Sequence, residues 1–121
     1  MAKRILIVDD EPHILLMVST RLKGNGYEVL TAQDGQAGLD MARNEKPDAI
    51  ILDLMLPKID GYKVCGLLKR DARYSKIPII IFTAKAQEED QRLGKEMGAD
   101  AYLIKPFTPE VLLETLAKLI N

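Results

Sequence analysis

Short apolar runs alternate with longer amphipathic stretches along this chain. The apolar runs are Ile5–Val8, Tyr27–Gln33, Ala49–Leu52, Ile77–Phe82 and Ala101–Ile104. Four of them are almost continuously apolar, which is typical of strands buried on both faces of a parallel sheet. The second run mixes polar residues such as Glu28 and Thr31 with apolar ones. It is therefore predicted to be an edge strand.

The amphipathic stretches are predicted to be helices. They are Pro12–Gly24, Gln36–Glu45, Tyr62–Asp71, Gln87–Met97 and a last one that starts at Thr108-Pro109-Glu110 and continues to the end. Pro12 suits a first helical turn, with Asp10 or Glu11 as the cap, and Gly98 suits the position after a helix C-terminus. The residues expected to face inward from the third helix are Val64, Leu67 and Leu68.

This alternation predicts an α/β fold of the type (βα)5. The expected architecture is a doubly wound, five-stranded parallel sheet with helices on both faces, a flavodoxin-like three-layer sandwich. Eight strands are needed to close a barrel, so the sheet stays open. With the second strand at an edge, the favoured strand order is 2-1-3-4-5, and ligands of such sheets bind beyond the carboxyl ends of the strands.

Composition narrows the class of protein. The length of 121 residues is usual for one domain, and we expect residues 1–121 to form a single domain. A net charge of -1 gives no reason to expect nucleic-acid binding. The single cysteine, Cys65, excludes an internal disulfide and a cysteine-based zinc site. No apolar run approaches the ~20 residues of a membrane span, and we expect a cytoplasmic protein without a membrane partner.

Reactive side chains follow four of the five predicted strands. They are Asp9 and Asp10 after the first strand, Asp53 after the third, Thr83 with Ala84 after the fourth, and Lys105 after the fifth. A single aspartate after a strand is more often a helix cap or a turn residue than a functional residue. Together they converge on one rim, where close carboxylates repel each other by about 4 kcal/mol per pair at an effective dielectric near 20.

Such a cluster requires a cation or a shifted pKa. Ligands that are all oxygen atoms, on a half-open rim, favour Mg²⁺ over zinc or over a closed calcium cage. Lys105 can supply the remaining positive charge. The sequence therefore predicts a magnesium site beyond the first and third strands.

These residues give the chain a resemblance to the CheY-like receiver domain of bacterial two-component response regulators. The resemblance covers essentially the whole chain and rests on ILIVDDE at 5–11, IILDLMLPKIDG at 50–61, IPIIIFTA at 77–84 and GADAYLIKPF at 98–107. It implies a phosphorylation-dependent signalling switch that is not an enzyme and that catalyses only its own phosphorylation from a donor and its own dephosphorylation. Its implied partners are a sensor histidine kinase or histidine phosphotransfer protein, and a downstream effector protein or output domain.

The resemblance also implies the phosphoacceptor and the metal ligands. Asp53 is the expected acceptor of a phosphoryl group from a phosphohistidine. The expected ligands of Mg²⁺ are the side chains of Asp10 and Asp53 and the backbone carbonyl of Met55. Asp9 is expected to act mostly through a water molecule.

The same resemblance implies how the signal is read. Lys105 is expected to pair with the acceptor and then with the phosphoryl group, and Thr83 to donate a hydrogen bond to it. The backbone amide and small side chain of Ala84 allow the group to approach. Thr83 then moves and Tyr102 rotates inward, which changes the face formed by the fourth helix, fifth strand and fifth helix.

Two other functions use parts of this pattern. A small Mg²⁺-dependent phosphatase with an aspartyl-phosphate intermediate needs similar groups, but such enzymes usually carry a second aspartate two residues after the nucleophile, where Met55 stands. A flavodoxin-like cofactor binder needs a phosphate-binding loop after the first strand, where three acids stand instead. His13, the single histidine, is expected to be a solvated surface residue.

Overall fold

Strands and helices alternate strictly in the computed structural model, which describes residues 2–84, 87–106 and 108–120. The elements in chain order are β1 (Arg4–Val8), α1 (Pro12–Gly24), β2 (Glu28–Ala32), α2 (Gly35–Glu45), β3 (Ala49–Leu52), α3 (Gly61–Lys69), β4 (Ile79–Thr83), α4 (Glu88–Glu96), β5 (Ala101–Ile104) and α5 (Pro109–Ile120). Every predicted element is present, and the bounds differ by a residue or two because helix and strand ends fray.

The sheet has the predicted topology. All neighbouring strands are parallel, and their order is β2-β1-β3-β4-β5. Strand β1 pairs with both β2 and β3, so that Leu6 lies opposite Leu30 and Ile50. The edge strand β2 is only partly buried, which explains its mixed composition.

Successive residues of the central strands enter two different cores, because side chains alternate between the faces of a strand. Leu6 packs with residues of α2 and α3 on one face. Ile7 packs with residues of α1 and α5 on the other face. Leu6 and Ile7 are both fully buried. This double burial is the physical reason that the central strands are continuously apolar in the sequence.

Two local predictions were wrong. Glu11 occupies the position before α1, but its side chain makes no capping hydrogen bond, and it pairs instead with the exposed His13 at 3.3 Å. Leu67 is 37% exposed. One residue of helix turns the side chain by about 100°, so a helix that directs Leu68 into the core directs its neighbour away. Within the described ranges, no helix combines the length and apolar character needed to cross a bilayer.

The loop after β3 lies close against the end of that strand, and Gly61 makes this possible. A Cβ atom at Gly61 would overlap the carbonyl oxygen of Asp53 and lie 2.7 Å from the Cα of Leu54. The loop is further fixed by the amide of Gly61, which donates to the carbonyl of Leu54 at 2.9 Å. Asp60 then caps α3 by accepting from the amide of Lys63 at 3.0 Å.

We expect Gly61→Ala to lower the free energy of unfolding by about 2 kcal/mol or more, because the added methyl group forces backbone movement. The matched control is Gly24→Ala at the end of α1, where nothing lies within 4 Å of the added Cβ. That variant should change stability by less than about 1 kcal/mol, since alanine is the better helix former. Urea unfolding followed by circular dichroism measures both, and equal effects would contradict the prediction.

Candidate functional site

Carboxylates from two strand ends lie together at the carboxyl edge of the sheet. Asp9 and Asp10 follow β1, Asp53 follows β3, and one carboxylate oxygen of each lies within 4.8 Å of the others. The two strand ends are adjacent because Val8 and Leu52 are register partners, and the amide of Asp53 donates to the carbonyl of Val8 at 3.0 Å. Asp9 is fully buried, Asp53 is 5% exposed, and Asp10 faces solvent.

A single ammonium group bridges the two buried carboxylates. Nζ of Lys105 lies 2.9 Å from Oδ2 of Asp9 and 3.4 Å from Oδ2 of Asp53. The same Nζ lies 4.7 Å from the centroid of the Phe82 ring, which is a cation–π contact. The resemblance pairs this lysine with Asp53, whereas in the structure it is nearer to Asp9. Sequence reasoning also missed Phe82, whose only signal is an aromatic residue near the end of β4.

Burial and charge act in opposite directions on these groups. Burial raises the pKa of Asp53, the positive charge of Lys105 lowers it, and Asp9 raises it again, so that the pKa lies above its ordinary value. Burial lowers the pKa of Lys105, but the hydrogen bond with Asp9 and the two negative charges outweigh it and raise the pKa overall. Lys105 therefore stays charged, and ionised Asp53 is in an environment that a further cation would favour.

Backbone amides orient the two buried carboxylates. The amide of Glu11 donates to Oδ1 of Asp9 at 2.9 Å, and the amide of Met55 donates to Oδ1 of Asp53 at 3.4 Å. In both cases the donor lies two residues after the aspartate, which is the pattern of an Asx turn. These amides hold one oxygen of each carboxylate and leave the other directed to Lys105. Sequence analysis did not identify them, although an aspartate at the end of a strand is a signal for such a turn.

The other predicted residues lie at or just behind the same edge. Thr83 ends β4, is 1% exposed, and its carbonyl accepts from the amide of Lys105 at 2.7 Å. Ala84 follows and faces solvent, and the side chain of Met55 is 62% exposed in the loop after β3. Tyr102 is half-buried on β5, one strand further from the carboxylates.

The donor set fits a hard divalent cation. The group formed by Asp9, Asp10 and Asp53 offers carboxylate oxygens and contains neither histidine nor cysteine. A cavity of about 500 Å³ opens beside it, with Asp10, Met55 and Tyr62 in its lining. Mg²⁺ prefers oxygen ligands and keeps several water molecules, so a partly open carboxylate cluster suits it better than a closed cage.

Comparison with known proteins points to one family. The model of the family described as "Response regulator receiver domain" matches residues 5–117. The chain is 49% identical over 109 residues to the alkaline phosphatase synthesis transcriptional regulatory protein PhoP of Bacillus subtilis, covering 90% of this chain and 45% of that protein. It is 43% identical over 113 residues to protein PilH of Pseudomonas aeruginosa, covering 93% of each.

A solved structure agrees with these matches. The chemotaxis protein CheY4 of Vibrio cholerae is 37% identical and superposes with a TM-score of 0.91, covering 98% of this chain and 99% of that one. The chain spans about half the length of the transcriptional regulators that it matches, for instance 45% of PhoP and 49% of RpaA from Synechocystis. The similarity to those regulators is therefore confined to one part of them.

We expect Asp53→Asn to raise the free energy of unfolding in metal-free buffer at neutral pH. Burial and Asp9 raise the pKa of Asp53 above 3.8, so folding favours its protonated form. The contribution of this group to wild-type stability is present in acid and is lost as the pH rises through the raised pKa. The gain from asparagine should therefore appear above that pKa and disappear below 3.8, which urea unfolding in EDTA across a pH series will measure.

Lys105→Met should lower the free energy of unfolding, in contrast to Asp53→Asn. Removing one partner of a fully buried ion pair costs roughly 3–5 kcal/mol. The Lys105 side chain is 17% exposed, so we expect a loss of about 2 kcal/mol. The charge explanation fails if Asp53→Asn and Lys105→Met destabilise the protein equally.

Proposed function

Because this chain belongs to the response regulator receiver domain family, we propose that Asp53 accepts a phosphoryl group from a phosphohistidine. The donor is a sensor histidine kinase or a histidine phosphotransfer protein. Phosphorylation on aspartate is typical of this family. The observation that carries the assignment is the position of Asp53, which lies within 4.8 Å of two other carboxylates and 3.4 Å from Lys105 at the carboxyl edge of the sheet.

The transfer needs little covalent assistance from the protein. A carboxylate oxygen of Asp53 forms a bond to phosphorus while the bond from phosphorus to the imidazole nitrogen breaks, and that nitrogen keeps the electron pair. An ionised carboxylate is already a nucleophile and requires no general base. What the reaction requires is positioning and neutralisation of the phosphoryl charge. The surroundings of Asp53 supply both.

Receiver domains bind Mg²⁺ at an acidic pocket, and the aspartate cluster is such a pocket. We assign Asp10, Asp53 and the backbone carbonyl of Met55 as its ligands here, with Asp9 acting through water. Both oxygens of Asp9 already have a partner at 2.9 Å, the amide of Glu11 and Nζ of Lys105. Asp10 faces solvent. When bound, the ion supplies positive charge to the phosphoryl oxygens.

Residues on β4 and β5 complete the proposed acceptor site. Lys105 already faces Asp53 and can contact a phosphoryl oxygen after transfer. Thr83 lies next to Lys105 at the end of β4, where its hydroxyl can donate to another oxygen. Ala84 is small and exposed, so its side chain and amide leave room for the group. When the phosphoryl dianion attracts Thr83 and Lys105, the ends of β4 and β5 move with these side chains.

The proposed output is the face formed by α4, β5 and α5. Within α4, Gly94 alone is buried, and Leu93 is 36% exposed. A helix with so little burial can rearrange at small cost in free energy. The ring of Tyr102, on β5, lies against Gly94 of this helix, and Thr83 lies on the adjacent strand β4. We assign Thr83 and Tyr102 as the switch residues that change partner binding at this face, where an effector protein or output domain binds.

Met55 stands where a phosphatase of the aspartyl-phosphate type usually carries its second aspartate. We therefore propose that the chemistry is limited to Asp53 itself and that residues 1–121 act as one receiver domain. Cys65 is a free, buried thiol, which suits the reducing cytoplasm.

Incubation with acetyl phosphate and Mg²⁺ should add one labile phosphoryl group to the wild-type protein, as measured by intact mass. Asp53→Asn should remain unmodified, and omission of Mg²⁺ should abolish labelling. Asp40→Asn is the matched control, because Asp40 is an exposed aspartate on α2. Equal labelling of Asp53→Asn and wild type would identify another acceptor. Repeated turnover of a phosphomonoester would instead indicate the phosphatase alternative.

Lys105→Ala should separate metal binding from switching. Mg²⁺ should still bind, because the carboxylates remain, but addition of the phosphoryl mimic BeF₃⁻ should shift the amide resonances of α4, β5 and α5 much less than in wild type. Lys118→Ala, an exposed lysine on α5, is the control and should respond like wild type. Wild-type shifts in the Lys105 variant would contradict the proposed coupling.

A further inference from the structure

Tyr62 connects the acceptor loop to the first turn of α4. It directly follows Gly61 at the start of α3, and it helps to line the cavity beside Asp10. Its hydroxyl lies 3.0 Å from the backbone carbonyl oxygen of Asp90 and 3.2 Å from Oδ1 of the same residue. Asp90 belongs to the first turn of α4. One phenol group therefore links the segment that follows the acceptor to the helix of the proposed output face.

The same hydroxyl also meets Tyr102. The two phenol groups share a hydrogen bond. The Tyr62 hydroxyl also donates to Asp90, so this one hydroxyl contacts both Asp90 and Tyr102. Burial raises the pKa of both phenols, and the negative charge of Asp90 adds to this.

Gly94 provides the space in which Tyr102 lies. A Cβ atom at Gly94 would lie 3.1 Å from Cδ2 and 3.2 Å from Cε2 of the Tyr102 ring, which is closer than ordinary van der Waals contact. The ring thus rests on the one buried position of α4, and its hydroxyl reaches Tyr62 beyond it. Tyr102 packs against the core shared by α2 and α3 in this arrangement. We take this packing against Gly94 and the core as the inward state of Tyr102.

We propose that Tyr62 is a positioning residue for the switch, whose hydroxyl holds Tyr102 inward and ties α4 to the start of α3. This inference rests on the proposed phosphorylation of Asp53. In the proposed switch, the phosphoryl group binds most tightly to the state in which Tyr102 is inward. By thermodynamic linkage, any contact that stabilises the inward state also raises the affinity of the acceptor site. Tyr62 therefore raises the affinity of the acceptor site without touching the phosphoryl group.

The test is Tyr62→Phe, which keeps the ring and removes one oxygen. Loss of the hydrogen bonds from this hydroxyl to Asp90 and Tyr102 should weaken BeF₃⁻ binding in saturating Mg²⁺ by about 5-fold or more. The matched control is Tyr74→Phe, because Tyr74 is a buried phenol of the same core that packs beneath Arg73. It should bind BeF₃⁻ like wild type. A Tyr62→Phe/Tyr102→Phe double variant should be weaker than Tyr102→Phe alone, because the bond to Asp90 is also lost, but by less than the sum of the two single effects, because the two hydroxyls share one bond.

A second readout does not depend on phosphoryl chemistry. With fluorotyrosine in the protein and no ligand present, Tyr62→Phe should shift or broaden the ¹⁹F resonance of Tyr102, and Tyr74→Phe should not. Gly94→Ala should perturb the same resonance by crowding the ring. An unchanged Tyr102 resonance in Tyr62→Phe, or wild-type affinity for BeF₃⁻, overturns the inference. Failure of wild type itself to bind BeF₃⁻ instead overturns the acceptor proposal, which the Asp53→Asn labelling tests separately.

Discussion

The molecule is organised around the repulsion among Asp9, Asp10 and Asp53 and its partial relief by Lys105. At separations below 5 Å this repulsion amounts to several kcal/mol at an effective dielectric near 20, roughly half of the stability of a small domain. The fold tolerates it because strand pairing fixes the two strand ends side by side and because backbone amides bind one oxygen of each buried carboxylate. One ammonium cannot balance three carboxylates. The remaining negative charge is what attracts a divalent cation.

The proposed acceptor site is tightly packed, whereas the proposed output face is weakly packed. Asp53 follows a fully buried strand, and Gly61 brings the next loop against its backbone, so the proposed acceptor is held in one place. By contrast, α4 buries a single residue, Gly94. In the proposed function, a new charge at Asp53 acts on the weakly packed helix through Tyr102, whose ring lies against Gly94. Free energy gained by binding at the carboxylates can rearrange α4, because a helix that buries little surface loses little stability when it moves.

Sequence reasoning located the site because the carboxyl ends of parallel strands share one edge of a sheet. The mixed composition of β2 indicated an edge strand, which favoured the order with β1 beside β3. That order alone predicted that Asp53 lies beside Asp9. The failures were local. Leu67 was assigned to the core because its apolar character says nothing about its angle around the helix axis. The Asx-turn amides of Glu11 and Met55 were missed because backbone atoms leave no mark in a residue pattern.

The sequence by itself determined the alternation of elements, the two-sided burial of β1, β3 and β4, and the residues at their carboxyl ends, since these depend on local periodicity and on strand order. The tertiary structure decided the distances. It placed Lys105 nearer to Asp9 than to Asp53, set it over Phe82, and brought Tyr62 and Tyr102 together against α4. Such contacts join residues far apart in the chain, and they depend on side-chain packing between elements, which no single segment encodes.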